Sequence, residues 1–210
     1  MPKLVIYRSK EMKTAFIYMA SGFGSRFGGN KLLEELEGKP LYRHGLDTLR
    51  KAADLIRREK GWQIRLIVVS QYREILEEAA REGLQAVYNP ESARGITASI
   101  AYGTRAAEEA EGADLYVYCV ADQPRLRGET LAAFLQAFAA SGKGIGCLTA
   151  GGRRGNPAAF RKTYRDQLLG LTGDRGGRQL MERYGEDLWL FEADSKELAD
   201  VDLKEDIKRV

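Results

Sequence analysis

The residues best suited to chemistry lie between Met19 and Lys31, which read Met-Ala-Ser-Gly-Phe-Gly-Ser-Arg-Phe-Gly-Gly-Asn-Lys. Glycines at 22, 24, 28 and 29 let backbone N–H groups turn toward a ligand with no Cβ in the way. Arg26 and Lys31 add charge, the first as a fork for two phosphate oxygens and the second as a point charge. Spacing rejects two familiar phosphate loops. The dinucleotide fingerprint G-x-G-x-x-G fits Gly22 and Gly24, but Phe27 stands at the third position and Gly28 comes one residue late. The P-loop fits Gly24 and Gly29, but Asn30, Lys31 and Leu32 follow, with no hydroxyl for a metal.

A second group lies far along the chain. Asp122, followed by Gln123 and Pro124, comes one residue, Ala121, after the apolar run 115–120. A carboxylate at such a strand end is a hard-oxygen ligand suited to Mg²⁺, and the same three residues also suit a plain turn. Near the C terminus, Asp200-Val201-Asp202 would aim both carboxylates to one side if extended. One of them could complete a metal site with Asp122. Residue chemistry alone favours Asp202 as the cap of a last helix, with Glu205 at the capping-box position, and the two roles need not exclude each other. Metal and cations together suit phosphoryl-type transfer, in which positioning and charge stabilisation supply most of the rate. His44 is the sole histidine and is expected to be structural. With it and two separated cysteines, zinc chemistry finds no ligand set.

These residues need elements to place them. Apolar runs at 15–18, 64–69, 86–88, 115–120, 144–149 and 188–191 read as strands. Helical spacing covers about 41–58, 74–81, 96–109 and 130–140, with short helices at 164–169 and 177–184 and a last one at 203–209. Residues 151–157 read as a second glycine- and arginine-rich loop. Strands alternating with helices predict an α/β fold, a mostly parallel sheet with helices on both faces. Ligands of such sheets sit beyond the carboxyl ends of strands, where the clusters 20–31, 121–125 and 150–157 fall. Residues 1–13 are expected to be an extension before a single domain of 14–210.

The 210-residue chain is 30% charged and 44% hydrophobic, with a formal net charge of +3, an ordinary globular composition. It carries no basic block or aromatic ladder for nucleic acid. It has no apolar run long enough for a bilayer and no visible signal peptide. The expectation is a cytoplasmic protein with neither nucleic acid nor membrane as partner, and Cys119 and Cys147 as buried small hydrophobes.

With these residues placed, the chain resembles the molybdenum cofactor cytidylyltransferase group of the MobA-like NTP transferase family. The likeness runs in order through Met19-Ala20-Ser21-Gly22 to Arg26 and Lys31, Gly38-Lys39-Pro40-Leu41, and Asn89-Pro90 with Gly95 and Ser99. It continues through Asp122-Gln123-Pro124, Gly155-Asn156-Pro157, the segment 172–178, and Asp200-Val201-Asp202 with Glu205-Asp206. The resemblance implies a Rossmann-like fold of the nucleotide-diphospho-sugar transferase type and a Mg²⁺-dependent reaction. CTP would be attacked at its α-phosphorus by the terminal phosphate of molybdopterin, with loss of pyrophosphate. By similarity Ala20, Ser21, Gly22, Gly24, Ser25, Arg26, Lys31 and Ser99 would hold the nucleotide. Arg26, Lys31 and Asp122 would be catalytic, and Asp122 and Asp202 would bind the metal. Asn156, Pro157, Asp174 and Arg178 would form the pterin side, and a molybdenum hydroxylase would be the downstream partner. Ser21 stands where cytidylyl members have Leu-Ala-Ala-Gly and guanylyl members Leu-Ala-Gly-Gly. The competing readings are a guanylyltransferase, a sugar- or polyol-phosphate nucleotidyltransferase, and a non-catalytic carrier of the molybdenum cofactor.

Overall fold

Strand β1 (Lys13–Ala20) alternates two sets of buried side chains. Phe16, Tyr18 and Ala20 enter one apolar cluster, and Ala15, Ile17 and Met19 enter another. A strand apolar on both faces must be covered on both. The structure, a computed structural model, describes residues 11–22, 29–202 and 205–206.

After β1 the chain forms a small hairpin, β2 (Glu35–Leu36) and β3 (Lys39–Pro40), and then the long helix α1 (Leu41–Lys60). Pro40 sits immediately before that helix, where its missing N–H costs nothing. There follow β4 (Gln63–Ser70), α2 (Arg73–Arg81), β5 (Gln85–Tyr88), α3 (Ile96–Ala110) and β6 (Leu115–Val120). The rest comprises α4 (Gly128–Ala140), β7 (Ile145–Ala150), β8 (Arg153–Arg161), α5 (Arg165–Leu169), α6 (Arg178–Arg183) and β9 (Leu188–Glu192).

The main sheet has seven strands in the order β5-β4-β1-β6-β8-β7-β9. All neighbours are parallel except β8, which runs antiparallel to both β6 and β7. Helices α1, α2 and α4 cover one face through Leu46, Leu49, Ile56, Ile75, Phe134 and Phe138. Helices α3, α5 and α6 cover the other through Ile100, Ala107, Leu168, Leu180 and Met181. This is the mostly parallel α/β sheet that the element pattern predicts. His44 is half-buried on α1, and its Nε2 lies 2.8 Å from the Leu36 carbonyl, a tether between helix and hairpin.

One element differs from expectation. Residues 153–161, whose first half reads as loop, form an interior strand. Polar Arg153 and Arg154, then glycine and proline, mask its pattern, while Ala158, Ala159 and Phe160 are buried. Cys147 pairs with Ala158 and Thr149 with Arg154, so the register shifts across Gly155-Asn156-Pro157. Proline is tolerated inside a sheet at such an irregularity because no ladder N–H is required there.

Candidate active site

The strand order reverses at β1. From β1 the chain steps outward through β4 and β5, then crosses to place β6 on the other side. Met19 of β1 is in register with Val120 of β6, so Ser21 and Asp122 leave the sheet side by side. Ligands of open α/β sheets bind in this crevice.

Two residues beyond β4 hold the start of the loop. Gln71 Nε2 donates to the Ser21 carbonyl at 2.8 Å, and the Tyr72 hydroxyl donates to the Gly22 carbonyl at 2.8 Å. Ser70 Oγ donates to the Ala20 carbonyl at 2.7 Å. The described chain resumes at Gly29. Asn30 Oδ1 accepts from the Leu32 N–H at 3.1 Å and caps the turn that carries Lys31.

Lys31 is only 6% exposed, and its ammonium donates three hydrogen bonds. They run to Asp122 Oδ2 at 2.8 Å, the Val201 carbonyl at 2.7 Å and Asp202 Oδ1 at 3.2 Å. Burial works against its charged form, but the Asp122 charge and the hydrogen bonds to both carboxylates outweigh it and raise its pKa. The C-terminal segment is stitched on by Val201 N–H donating to the Asp122 carbonyl at 2.9 Å. Gln123 Nε2 donates to Asp200 Oδ1 at 2.9 Å and to the Leu198 carbonyl at 3.2 Å. Burial first, then the Asp122 charge, holds the Asp200 carboxyl above its usual range. The N–H of Asp202 donates to Asp206, one residue beyond the expected capping-box Glu205.

Two cavities open beside this cluster. The first, about 280 Å³, is lined by Ser21, Gly22, Lys31, Ser92, Ser99 and Asp122, among others. The second, about 290 Å³, is lined by Arg154, Asn156, Phe160, Arg175, Arg178 and Met181, among others. Met19, Ile96 and Asp174 line both, so the cavities adjoin. Arg175 pairs with Glu182, whereas Arg154 and Arg178 have no ion-pair partner among the described residues. Both of these arginines lower the Cys147 pKa, although burial dominates and pushes that thiol up to about 11.

The structure brings Ser21, Gly22, Lys31, Ser99, Asp122 and Asp174 to the first cavity and Asn156, Asp174 and Arg178 to the second. Ser99 is buried and accepts from Asn89 Nδ2 at 3.1 Å. Ala20 is fully buried at the end of β1, and Pro157 is buried in β8 next to Asn156. Asp202 meets Lys31 rather than the open cavity. Gly24, Ser25 and Arg26 lie outside the described residues. The sequence reading had not singled out Ser92, Arg154, Gln71 or Tyr72. Gln71 and Tyr72 follow a strand end, so the rule that found Asp122 would also have reached them. Arg154 was obscured by the reading of 151–157 as loop.

A sequence profile of the MobA-like NTP transferase domain matches residues 16–188. Comparison with curated proteins returns no match. Among solved structures, Rv0371c from Mycobacterium tuberculosis H37Rv superposes with a TM-score of 0.76 at 23% identity, covering 95% of this chain and 98% of that one. The same protein in complex with manganese gives 0.69 at 21% identity, covering 94% and 97%. A nucleotidyl transferase from Methanothermobacter thermautotroptrophicus, Mth528, gives 0.75 at 23%, covering 94% and 95%. A CMP:2-keto-3-deoxy-manno-octonic acid synthetase complexed with CTP gives 0.70 at 15%, covering 94% and 96%.

Proposed function

The chain belongs to the MobA-like NTP transferase family, and on that premise we propose that it transfers CMP from CTP to the terminal phosphate of molybdopterin. In this reaction an oxygen of the acceptor phosphate attacks the α-phosphorus. The bond from that phosphorus to the bridging oxygen breaks, and pyrophosphate leaves with the electron pair. The observation that carries the reading is the adjacency of the two cavities. One lies at the crevice beside Asp122 and Lys31, and the other carries Arg154 and Arg178, which have no ion-pair partner among the described residues. A nucleotide in the first would meet a phosphate-bearing acceptor in the second across Met19, Ile96 and Asp174.

The residues present fit a divalent cation. Asp122 and Asp202 converge on a single cation position, the Lys31 ammonium, and both offer hard oxygen. No group of three or more acidic, histidine or cysteine side chains surrounds a metal position among the described residues. Mg²⁺ suits such a site, because it takes one or two carboxylates and completes its shell with substrate phosphate and water. When bound, the ion supplies neutralisation of the triphosphate charge. Rv0371c, solved with manganese, supports a divalent ion at a site of this fold. The chain's own contribution is positional. Ser21 and Gly22 present backbone groups to the nucleotide. Arg26 and Lys31 are assigned to its phosphates. Asn156, Asp174 and Arg178 orient the acceptor.

The synthetase solved with CTP supports a cytosine nucleotide, as do the segments 155–157 and 172–178 by their family resemblance. The four NTPs, each with Mg²⁺ and molybdopterin, form the test, read as pyrophosphate release. Release with CTP alone, abolished in Asp122→Ala, is the expected result. Release with GTP, or only with a sugar phosphate as acceptor, replaces the substrate assignment. Tight pterin binding with no release from any NTP makes the protein a carrier.

A further inference from the structure

The Lys31 ammonium lies in a cradle of three oxygens, Asp122 Oδ2, the Val201 carbonyl and Asp202 Oδ1, at 2.8, 2.7 and 3.2 Å. An ammonium has three N–H donors, and all three are engaged. In this position Lys31 has no donor left for a phosphate. We propose that Lys31 is a tethered cation that holds the place of the divalent ion, and that ion and nucleotide together displace it onto the triphosphate. The proposal rests on the reading of Asp122 and Asp202 as the metal ligands.

Charge and geometry both favour an exchange. Two carboxylates with one ammonium leave a net charge of about −1, and a divalent ion in place of the ammonium brings it to about zero. Holding both cations in one cradle would set a divalent and a monovalent charge in contact, and their repulsion disfavours it. If Lys31 left alone, two carboxylates and a buried carbonyl would lose their partner at once. An incoming ion satisfies all three oxygens, and a triphosphate offers the departing ammonium new acceptors. Lys31 borders the first cavity, so its four-carbon stem has open space on the nucleotide side. The ion alone must displace an ammonium that has nowhere comparable to go, so nucleotide and ion are expected to bind cooperatively.

Mn²⁺ is the probe, followed by electron paramagnetic resonance and by thermal melting in the absence of nucleotide. Lys31→Met keeps the length of the stem and removes the charge. If the ammonium occupies the cradle in most molecules, its removal tightens Mn²⁺ binding about tenfold or more, since apparent affinity scales with the fraction of sites that are open. Mn²⁺ then raises the melting temperature of Lys31→Met well above its effect on the wild type, and adding Asp122→Asn to that variant abolishes the gain. Lys31→Gln, which keeps an amide donor, is used if the Met variant fails to fold, with the same direction expected. Equal Mn²⁺ affinity in wild type and both variants overturns the proposal. Tighter Mn²⁺ binding by Lys31→Met, with no turnover of any NTP by the wild type, leaves the cation exchange standing and removes the transferase reading.

Discussion

Asp174 Oδ1 accepts a hydrogen bond from the Ile96 N–H at 3.2 Å across 78 residues of chain. The loop that carries Asp174 therefore caps α3, the helix whose first turn walls both cavities. Thr97 Oγ1 strengthens the joint by donating to the Gly173 carbonyl at 2.6 Å. Gly95 makes it feasible, because its φ is +81° and a Cβ there would collide with the Asp174 carboxylate.

Asp174→Ala removes that cap and is expected to cost about 1 kcal/mol of stability. Gly95→Ala is expected to cost more, about 1–3 kcal/mol, since it combines backbone strain with a collision. Both variants should raise KM for the acceptor more than KM for the nucleotide, because the displaced loop carries Arg175 and leads into α6 at Arg178. Urea melts and a two-substrate kinetic matrix check this.

Tyr72→Phe deletes the hydrogen bond to the carbonyl of Gly22, the one this hydroxyl makes among the described residues. A net hydrogen bond is worth about 1 kcal/mol, or roughly a fivefold change. KM for the nucleotide should rise by about that factor with kcat nearly unchanged, and Gln71→Leu should act in the same direction through Ser21. An unchanged KM in both would mean that the loop backbone is held without them.

Glu108 ties the end of α3 to β6 and α5. It accepts from the Tyr116 hydroxyl at 2.6 Å and from Arg165 at 3.3 Å. Burial opposes its charge, but the bonds from Tyr116, Arg165 and the Ala113 N–H win and hold its carboxyl below the usual glutamate range. A depressed folded value means that the contribution is present above the unfolded glutamate pKa and is lost as pH falls through the folded one. Glu108→Gln is therefore expected to melt below the wild type near neutral pH, with the gap closing on acidification. Paired melting curves from about pH 3 to pH 7 check the sign.

Glu197 is 5% exposed and accepts from the Arg127 N–H at 3.1 Å and from Arg127 Nε at 2.8 Å. It joins the start of α4 to the segment that delivers Val201 and Asp202. Glu197→Ala should cost about 2 kcal/mol, the scale of charged hydrogen bonds. It should also loosen Asp202 against Lys31, so nucleotidyltransferase activity falls even where the protein remains folded. A variant with wild-type stability and activity would separate the two ends of this segment.

Much of the fold was legible in the chain because its strands are apolar on both faces and its helices keep their spacing. Leu115–Val120 needs no tertiary context to read as a buried strand. Residues 153–161 do need it, since β6 and β7 on either side impose extension on a stretch whose own residues favour a turn. The same shift of register that admits Pro157 sets Asn156 beside the second cavity.

The sequence by itself determined that a glycine-rich, cationic loop leaves one strand and that a carboxylate leaves another. Both are local properties, read from residue type and spacing. Only the tertiary structure decided that Lys31 meets Asp122 and Asp202, which lie 91 and 171 residues away. No periodicity records such a distance. The pairing arises because parallel neighbours deliver their ends to one edge of the sheet, and because a buried ammonium must find oxygen partners wherever the chain brings them.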